Sequence, residues 1–298
     1  MTATPDGPDA LRRLAAGWLA RGRAAMVVEV LAARGSVPRE AGTRMLVAAD
    51  GCAGTIGGGH LEFQAIAEAR QALAAGTPAL PPRDIALGPS LGQCCGGAVR
   101  LGIRRLDAAA LSEWPDEPVL FQLQLHGAGH VGQALVRLLA TLPCRVQWVD
   151  SRDEAAAAVQ AMGPLPPHIR LEPSDDPVAE VQAASPGTWF LVMTHSHALD
   201  LDLVQAVLAR DDAGWLGLIG SATKRARFER RLAERGLGEA VNAQLTCPVG
   251  LPGIAGKAPA VVAMAVAAQL LQRAAGSRAA GQASARRPSA ATSSTRTL

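Results

Sequence analysis

Two hydrophobic rhythms run along this chain, and one gives way to the other near residue 119. Before that point the pattern is mixed. Asp9 to Gly22 places Leu11, Leu14, Trp18 and Leu19 on one side of a helix. Met26–Leu31 and Arg44–Ala48 read as strands around a polar loop, Ala33 to Gly42. A glycine-rich turn, Gly54 to Gly59, opens a helix from about Leu61 to Leu73, and strands near Asp84–Leu87 and Ala98–Arg104 flank a second glycine loop. These elements predict a small α+β domain over residues 1–106. Residues 107–118, with acids and two prolines, read as a linker. From Val119 short apolar strands alternate with helices. Strands are expected at Val119–Leu125, Val146–Val149, Ile169–Leu171, Trp189–Met193 and Trp215–Ile219. Helices are expected at His130–Thr141, Asp153–Met162, Pro177–Ala183, Leu201–Arg210 and Thr223–Arg235. That alternation predicts a parallel sheet with right-handed crossovers. A Pro/Gly loop, Thr246 to Lys257, then leads to a helix at Pro259–Arg273 that is apolar almost all round. Such a helix is expected to be buried against the first domain or a second subunit, which favours a homodimer.

Composition narrows the classes. The chain has 298 residues, enough for two domains with real cores. No unbroken apolar run reaches the roughly 18 residues that span a bilayer, so no membrane partner is expected. Asp6 and Asp9 precede the first apolar stretch, unlike the basic start of a signal peptide. The five cysteines, at 52, 94, 95, 144 and 247, are odd in number and lack framework spacing. Reduced thiols in a cytoplasmic protein are the expectation. The net charge of +3 owes everything to four arginines beyond Ala274; without them it is −1, which removes the electrostatic case for nucleic acid. That tail, 274–298, is Ala, Ser, Gly and Thr with scattered Arg, and is expected to be disordered.

The candidate chemistry begins with Gly127-Ala128-Gly129-His130-Val131-Gly132. It follows a predicted strand and opens a predicted helix, and Asp150 ends the next strand, 18 residues beyond Gly132. This is the context of a dinucleotide fingerprint. Gly127 would permit the tight turn, Gly129 would let backbone and the helix N-terminus at His130 approach a pyrophosphate, and Gly132 would pack helix on strand. Asp150 would accept from a ribose hydroxyl. The fold class is therefore α/β, a Rossmann-like parallel-sheet domain over 119–273 with the smaller α+β domain before it. Bound NAD(P), and an NAD(P)-dependent oxidoreductase using His195 or Lys224 as acid or base, is one reading; a Rossmann scaffold with another ligand is the alternative.

Further polar motifs fall at predicted strand ends: Asp150-Ser151-Arg152, Thr194-His195-Ser196-His197 and Gly220-Ser221-Ala222-Thr223-Lys224-Arg225. In an open parallel sheet that edge binds ligands. The amides around Ser221, with Lys224 adding charge, suit an anionic, phosphorylated ligand. His195 and His197 either cap neighbouring elements or form a metal pair, although no third ligand follows at a recognisable spacing. Asp200 and Asp202 read as helix-start acids.

The second motif is Gly92-Gln93-Cys94-Cys95-Gly96-Gly97. Adjacent cysteines rarely bridge each other, because a disulfide wants Cα atoms farther apart than chain neighbours. Thiolates on a glycine loop suit a soft metal, a persulfide or a thiol-reactive cofactor. Two buried small hydrophobes are the plain alternative. A dehydrogenase has no use for such a loop.

Taken together, Arg34–Arg39 (RGSVPR), Gly54–Glu62 (GTIGGGHLE), Gln93–Gly97 (QCCGG), Gly127–Gly132, Thr194–Asp202 (THSHALDLD), Gly217–Arg225 (GLIGSATKR) and Cys247–Pro259 (CPVGLPGIAGKAP) resemble the XdhC/CoxI family of accessory proteins of xanthine dehydrogenase and related molybdenum hydroxylases. The segments run in order over about residues 25–272. The resemblance implies a protein, not itself an enzyme, that binds the molybdenum cofactor, a molybdopterin carrying Mo. It would protect the cofactor while a cysteine desulfurase exchanges an oxo ligand for sulfur. It would then deliver it to the molybdenum-binding subunit of apo xanthine dehydrogenase. The resemblance places the contact to the cofactor or its Mo at Cys95, with Cys94 second.

Overall fold

The computed structural model describes residues 9–87, 96–116 and 118–285. The chain divides into two compact units, Met1–Pro118 and Val119–Leu298.

The first unit contains helices α1 (Ala10–Ala20), α2 (Gly59–Ala74) and α3 (Ala108–Ser112) and strands β1 (Ala25–Arg34), β2 (Arg44–Ala48), β3 (Gly51–Gly54), β4 (Ala79–Ala86) and β5 (Ala98–Arg105). The strands form one antiparallel sheet in the order β3-β2-β1-β5-β4. Strand β1 is central, and its alternation serves both faces. Met26, Val28 and Val30 pack with Leu61, Ala65 and Ala69 of α2. Ala25 and Val27 pack with Ala15 and Trp18 of α1 and with Trp114. Two elements depart from expectation. Strand β4 starts before Pro81 and Pro82, which an inner strand would not accept. It lies at the sheet edge, with a register shift between Leu80 and Arg83 that skips the prolines. The expected linker 107–118 opens with α3, whose N-cap Asp107 accepts from the Ala110 amide at 2.7 Å.

The second unit continues with strands β6 (Gln122–His126), β7 (Arg145–Asp150), β8 (Ile169–Pro173), β9 (Trp189–Val192), β10 (Trp215–Leu218) and β11 (Leu245–Thr246). They form one parallel sheet in the order β11-β10-β9-β6-β7-β8. The helices are α4 (His130–Leu139), α5 (Asp153–Gln160), α6 (Pro177–Ala183), α7 (His197–Leu208), α8 (Ala222–Glu234), α9 (Gly238–Gln244) and α10 (Pro259–Ala285). One sheet face packs Leu123, Leu125, Trp148 and Leu191 against α4, α5 and α10. The other packs Phe190, Val192, Leu216 and Leu218 against α7 and α8. Chain order starts at β6 and runs outward through β7 and β8, then returns to β9 and runs the other way, so β6 and β9 flank the point where the order reverses.

Helix α10 is longer than its apolar pattern suggests. It passes Arg273 and ends at Ala285, inside the segment expected to be disordered. Alanine dominates there and no proline occurs before Pro288, so helix propensity carries the chain on. By length and hydropathy Pro259–Ser277 would suffice to cross a membrane. Its apolarity has another use: Ala263, Val266, Ala267, Leu270 and Ala274 belong to the core shared with α4.

Candidate functional site

The glycine loop at the end of β6 is built by close approach. Gly127 has φ +113°, and a Cβ there would sit 2.4 Å from the Met193 carbonyl oxygen. A Cβ on Gly132 would sit 2.3 Å from the Gly127 carbonyl oxygen, so α4 rests directly on the loop. Gly129 caps α4 in extended conformation, with open space beside its Cα. Asp150 faces this loop. Its carboxylate accepts from the Ala128 amide at 2.6 Å, and from the Arg152 amide, Nε and Nη2 at 2.8–3.0 Å. Burial would raise the Asp150 pKa, but the Arg152 guanidinium and the two amides outweigh it and hold the carboxyl below its usual range. The group expected to receive a ribose hydroxyl thus already serves four donors of its own chain.

A second cluster joins the ends of β9 and β10. Asp200, only 1% exposed, accepts from the Thr194 amide at 3.0 Å and the Thr194 hydroxyl at 2.7 Å. Its other oxygen takes the Lys224 ammonium at 2.5 Å, and Lys224 Nζ also donates to the Ile219 carbonyl at 2.9 Å. Lys224, read from sequence as charge for an anion or as an acid–base group, is therefore an internal counter-ion. Ser221 and Ser196 cap α8 and α7 through their hydroxyls. His197 is the first residue of α7 and His195 lies in the loop before it, both exposed. Among the described residues no cluster of three His, Cys, Asp or Glu side chains could hold a metal. Arg225 donates to the Leu245 and Cys247 carbonyls, each at 3.1 Å, and so anchors β11 and the start of the Pro/Gly loop.

Between these clusters, at the carboxyl ends of β6 and β9, lies a narrow crevice whose walls include His126, Gly127, Asp150, Ser151, Thr194 and His195. His126 is 1% exposed. Its Nε2 lies 2.8 Å from Gln124 Oε1, and burial lowers its pKa to about 3.

In the first unit, three of the family-like segments come together. A Cβ on Gly97 would sit 2.5 Å from the carbonyl oxygens of both Arg34 and Ser36, and one on Gly57 would sit 2.6 Å from Pro38. The Arg34–Arg39 loop is thus packed against both the Gly96-Gly97 turn and the glycine turn before α2. Glu62 ties the latter turn down: one carboxylate oxygen accepts from the Thr55 hydroxyl at 2.5 Å and from the Ile56 and Gly58 amides at 3.0 Å. Gly96 is exposed with free space at its Cα, and Arg34 and Arg39 are exposed. Gln93, Cys94 and Cys95 lie outside the described residues.

Sequence reasoning missed the roles of Asp200 and His126. Both left a signal. Asp200 stands between Leu199 and Leu201 at the start of an apolar helix, a charge on a burying face that demands a partner. In β6 the alternation Gln122, Leu123, Gln124, Leu125, His126 makes one face of a central strand polar.

A six-stranded parallel sheet reversing at its first strand, with a glycine turn and helix N-terminus at the reversal, defines the second unit as a Rossmann-type domain; the first unit is an antiparallel α+β domain. The XdhC Rossmann domain profile matches residues 123–270, and the XdhC and CoxI family profile matches residues 18–81. The chain belongs to the XdhC and CoxI family. It is 33% identical over 256 residues to the uncharacterized protein YqeB of Escherichia coli K12, which covers 83% of this chain but 43% of that protein. This chain thus spans less than half the length of that relative. A Bacillus halodurans protein described as a xanthine dehydrogenase shares the fold, with TM-score 0.72 and 18% identity over 90% of this chain and 96% of that one.

Proposed function

We propose that this chain is an accessory protein that holds the molybdenum cofactor during its sulfuration and passes it to the molybdenum-binding subunit of a molybdenum hydroxylase such as xanthine dehydrogenase. The observation that carries this reading is the match of both units to the XdhC and CoxI family. The described residues suit such a cargo. The meeting of the Arg34–Arg39, Gly57 and Gly96-Gly97 segments offers exposed guanidiniums and open backbone next to the Cys94-Cys95 pair in sequence. Arginine matches a phosphate in geometry and charge. Cys95, with Cys94 beside it, would supply the thiol contact. The bound cofactor contributes the molybdenum centre on which the target enzyme depends; the chain contributes shelter and handover. A hydride-transfer enzyme is less well supported, because Lys224 is locked to Asp200 and the Asp150 carboxylate is occupied.

The test is anaerobic binding of the molybdenum cofactor to the full chain, reading pterin fluorescence and Mo after desalting. The expected result is close to one pterin and one Mo per chain, lost in Cys95→Ala. Retention in Cys95→Ala with loss in Cys94→Ala would move the contact by one residue. No binding by the wild type would overturn the proposal.

A further inference from the structure

The hydrogen-bond polarity of one part-buried relay fixes what His126 can offer to a ligand. The relay starts at Glu180, whose carboxylate can only accept. Gln147 Nε2 donates to Glu180 Oε2 at 2.9 Å, so Gln147 Oε1 faces the other way. That oxygen accepts from Gln124 Nε2 at 2.9 Å, and the same Nε2 donates to the Glu180 carbonyl at 2.8 Å. Gln124 therefore turns Oε1 towards His126 at 2.8 Å, and His126 Nε2 must carry the proton. A neutral imidazole protonated at Nε2 has a bare lone pair at Nδ1. Desolvation, which lowers the ring's pKa to about 3, keeps it neutral at any physiological pH.

His126 Nδ1 is buried and has no partner. An unsatisfied buried acceptor is rare, and this one belongs to a residue that lines the crevice. The crevice spans about 220 Å³ with its open mouth and is narrow at its closed end. That end has room for roughly one water or one ligand group of the same size.

We propose that the crevice between β6 and β9 takes a ligand group carrying a hydrogen-bond donor, a hydroxyl or an N–H, and that His126 Nδ1 is the acceptor that selects it. The inference rests on the reading of this sheet edge as a ligand site. Two ligand sources present that chemistry: a nucleotide through its ribose hydroxyls, and a pterin through its ring and amino N–H groups. An acceptor without its own hydrogen admits either and rejects a group that can only accept, a carbonyl or a fully ionised phosphate oxygen.

The test is nitrogen NMR of the full chain labelled at histidine, titrated separately with AMP and with molybdenum cofactor released anaerobically from a purified molybdoenzyme. In the free protein His126 Nδ1 should resonate as a bare, unprotonated nitrogen. One probe should move it in the direction of an accepted hydrogen bond. Two variants separate acceptor from scaffold. His126→Gln can still donate to Gln124 but has no acceptor at the Nδ1 position; it should weaken that probe by roughly tenfold or more. His126→Asn places Oδ1 where Nδ1 was and should bind within a few-fold of wild type. A shift with AMP alone identifies a nucleotide donor, a ribose hydroxyl or the adenine amino group, and takes the cofactor away from this edge. A shift with the cofactor alone identifies a pterin N–H. Cofactor binding that depends on Cys95 while His126 Nδ1 stays unmoved by either probe overturns this inference and leaves the proposed function standing. A proton found on Nδ1 in the free protein, or an affinity unchanged in His126→Gln, overturns it as well.

Discussion

Replacing Lys224 by Met should cost the second unit about 3–5 kcal/mol, and the structure says why. Asp200 and Lys224 are 1% and 11% exposed at their side chains and meet at 2.5 Å. Removing the ammonium leaves a carboxylate in the core with only the Thr194 amide and hydroxyl, and orphans the Ile219 carbonyl. Breaking one side of a buried pair typically costs about 3–5 kcal/mol, because the surviving charge stays desolvated. Adding Asp200→Asn to Lys224→Met removes that charge, so the double variant should be more stable than the sum of the single losses predicts, with a coupling of about 1–3 kcal/mol. Hydrogen exchange is the suitable assay, because it reads local opening without requiring the two units to unfold together. At about 1.4 kcal/mol per tenfold, a loss of 3 kcal/mol accelerates exchange on the order of 10²-fold in the peptides over β9, β10 and the N-terminal turns of α7 and α8. Strictly additive single and double variants, or exchange within a few-fold of wild type in Lys224→Met, would show that solvent reaches this pair and that the cluster does not clamp the sheet edge.

The remaining predictions concern other buried groups. His126 titrates near 3 when folded and near 6.5 when unfolded, so the unfolded chain takes up the proton first; stability should be intact above about pH 6.5 and fall by about 2 kcal/mol by pH 5. His126→Asn should flatten that slope in urea melts recorded across the range, and an unchanged slope would place the acid sensitivity elsewhere. Gly97→Ala, with a Cβ 2.5 Å from two carbonyl oxygens, should destabilise the first unit by about 1–3 kcal/mol, whereas Gly96→Ala, with open space, should stay within about 0.5 kcal/mol; thermal melts of the two variants decide it. Burial pushes the Cys144 thiol up to about 12, so iodoacetamide at pH 8 should label the half-buried Cys52 well before Cys144, which should react only on unfolding.

Elements with a strong rhythm were legible in the sequence. The βα alternation from Val119 predicted the parallel sheet because each strand is a short apolar run bounded by turn residues. What escaped was set by contacts that pattern does not encode. Strand β4 contains two prolines, tolerable only because it is an edge strand with a shifted register. The two-residue β11 has no pattern of its own and is held by Arg225 on its carbonyls. Helix α7 starts at His197 rather than Leu201, because Ser196 caps it and Asp200 turns inward to Thr194. At the candidate sites the residue types were legible and their partners were not: Asp150 finds Ala128, 22 positions away, and Lys224 finds Asp200, 24 positions away.

That difference bears on how the strand-end motifs should be weighed. A polar residue at the carboxyl edge of a parallel sheet is read as a ligand contact because that edge is where ligands bind. Yet such an edge is also where loops must be pinned, and pinning consumes the same side chains. Asp150 holds the glycine loop and Arg152, Lys224 and Asp200 hold each other, and Ser196 and Ser221 cap helices. A ligand recruiting any of them must first break an internal bond, and at the buried Asp150 and Asp200 that leaves a buried group unpaired. The groups that can bind without that cost are those with valence to spare: His126 Nδ1, the exposed His195 and His197, and the Gly129 turn with open space around it. Unused hydrogen-bonding capacity, more than the presence of a motif, therefore marks the part of this edge available to a ligand.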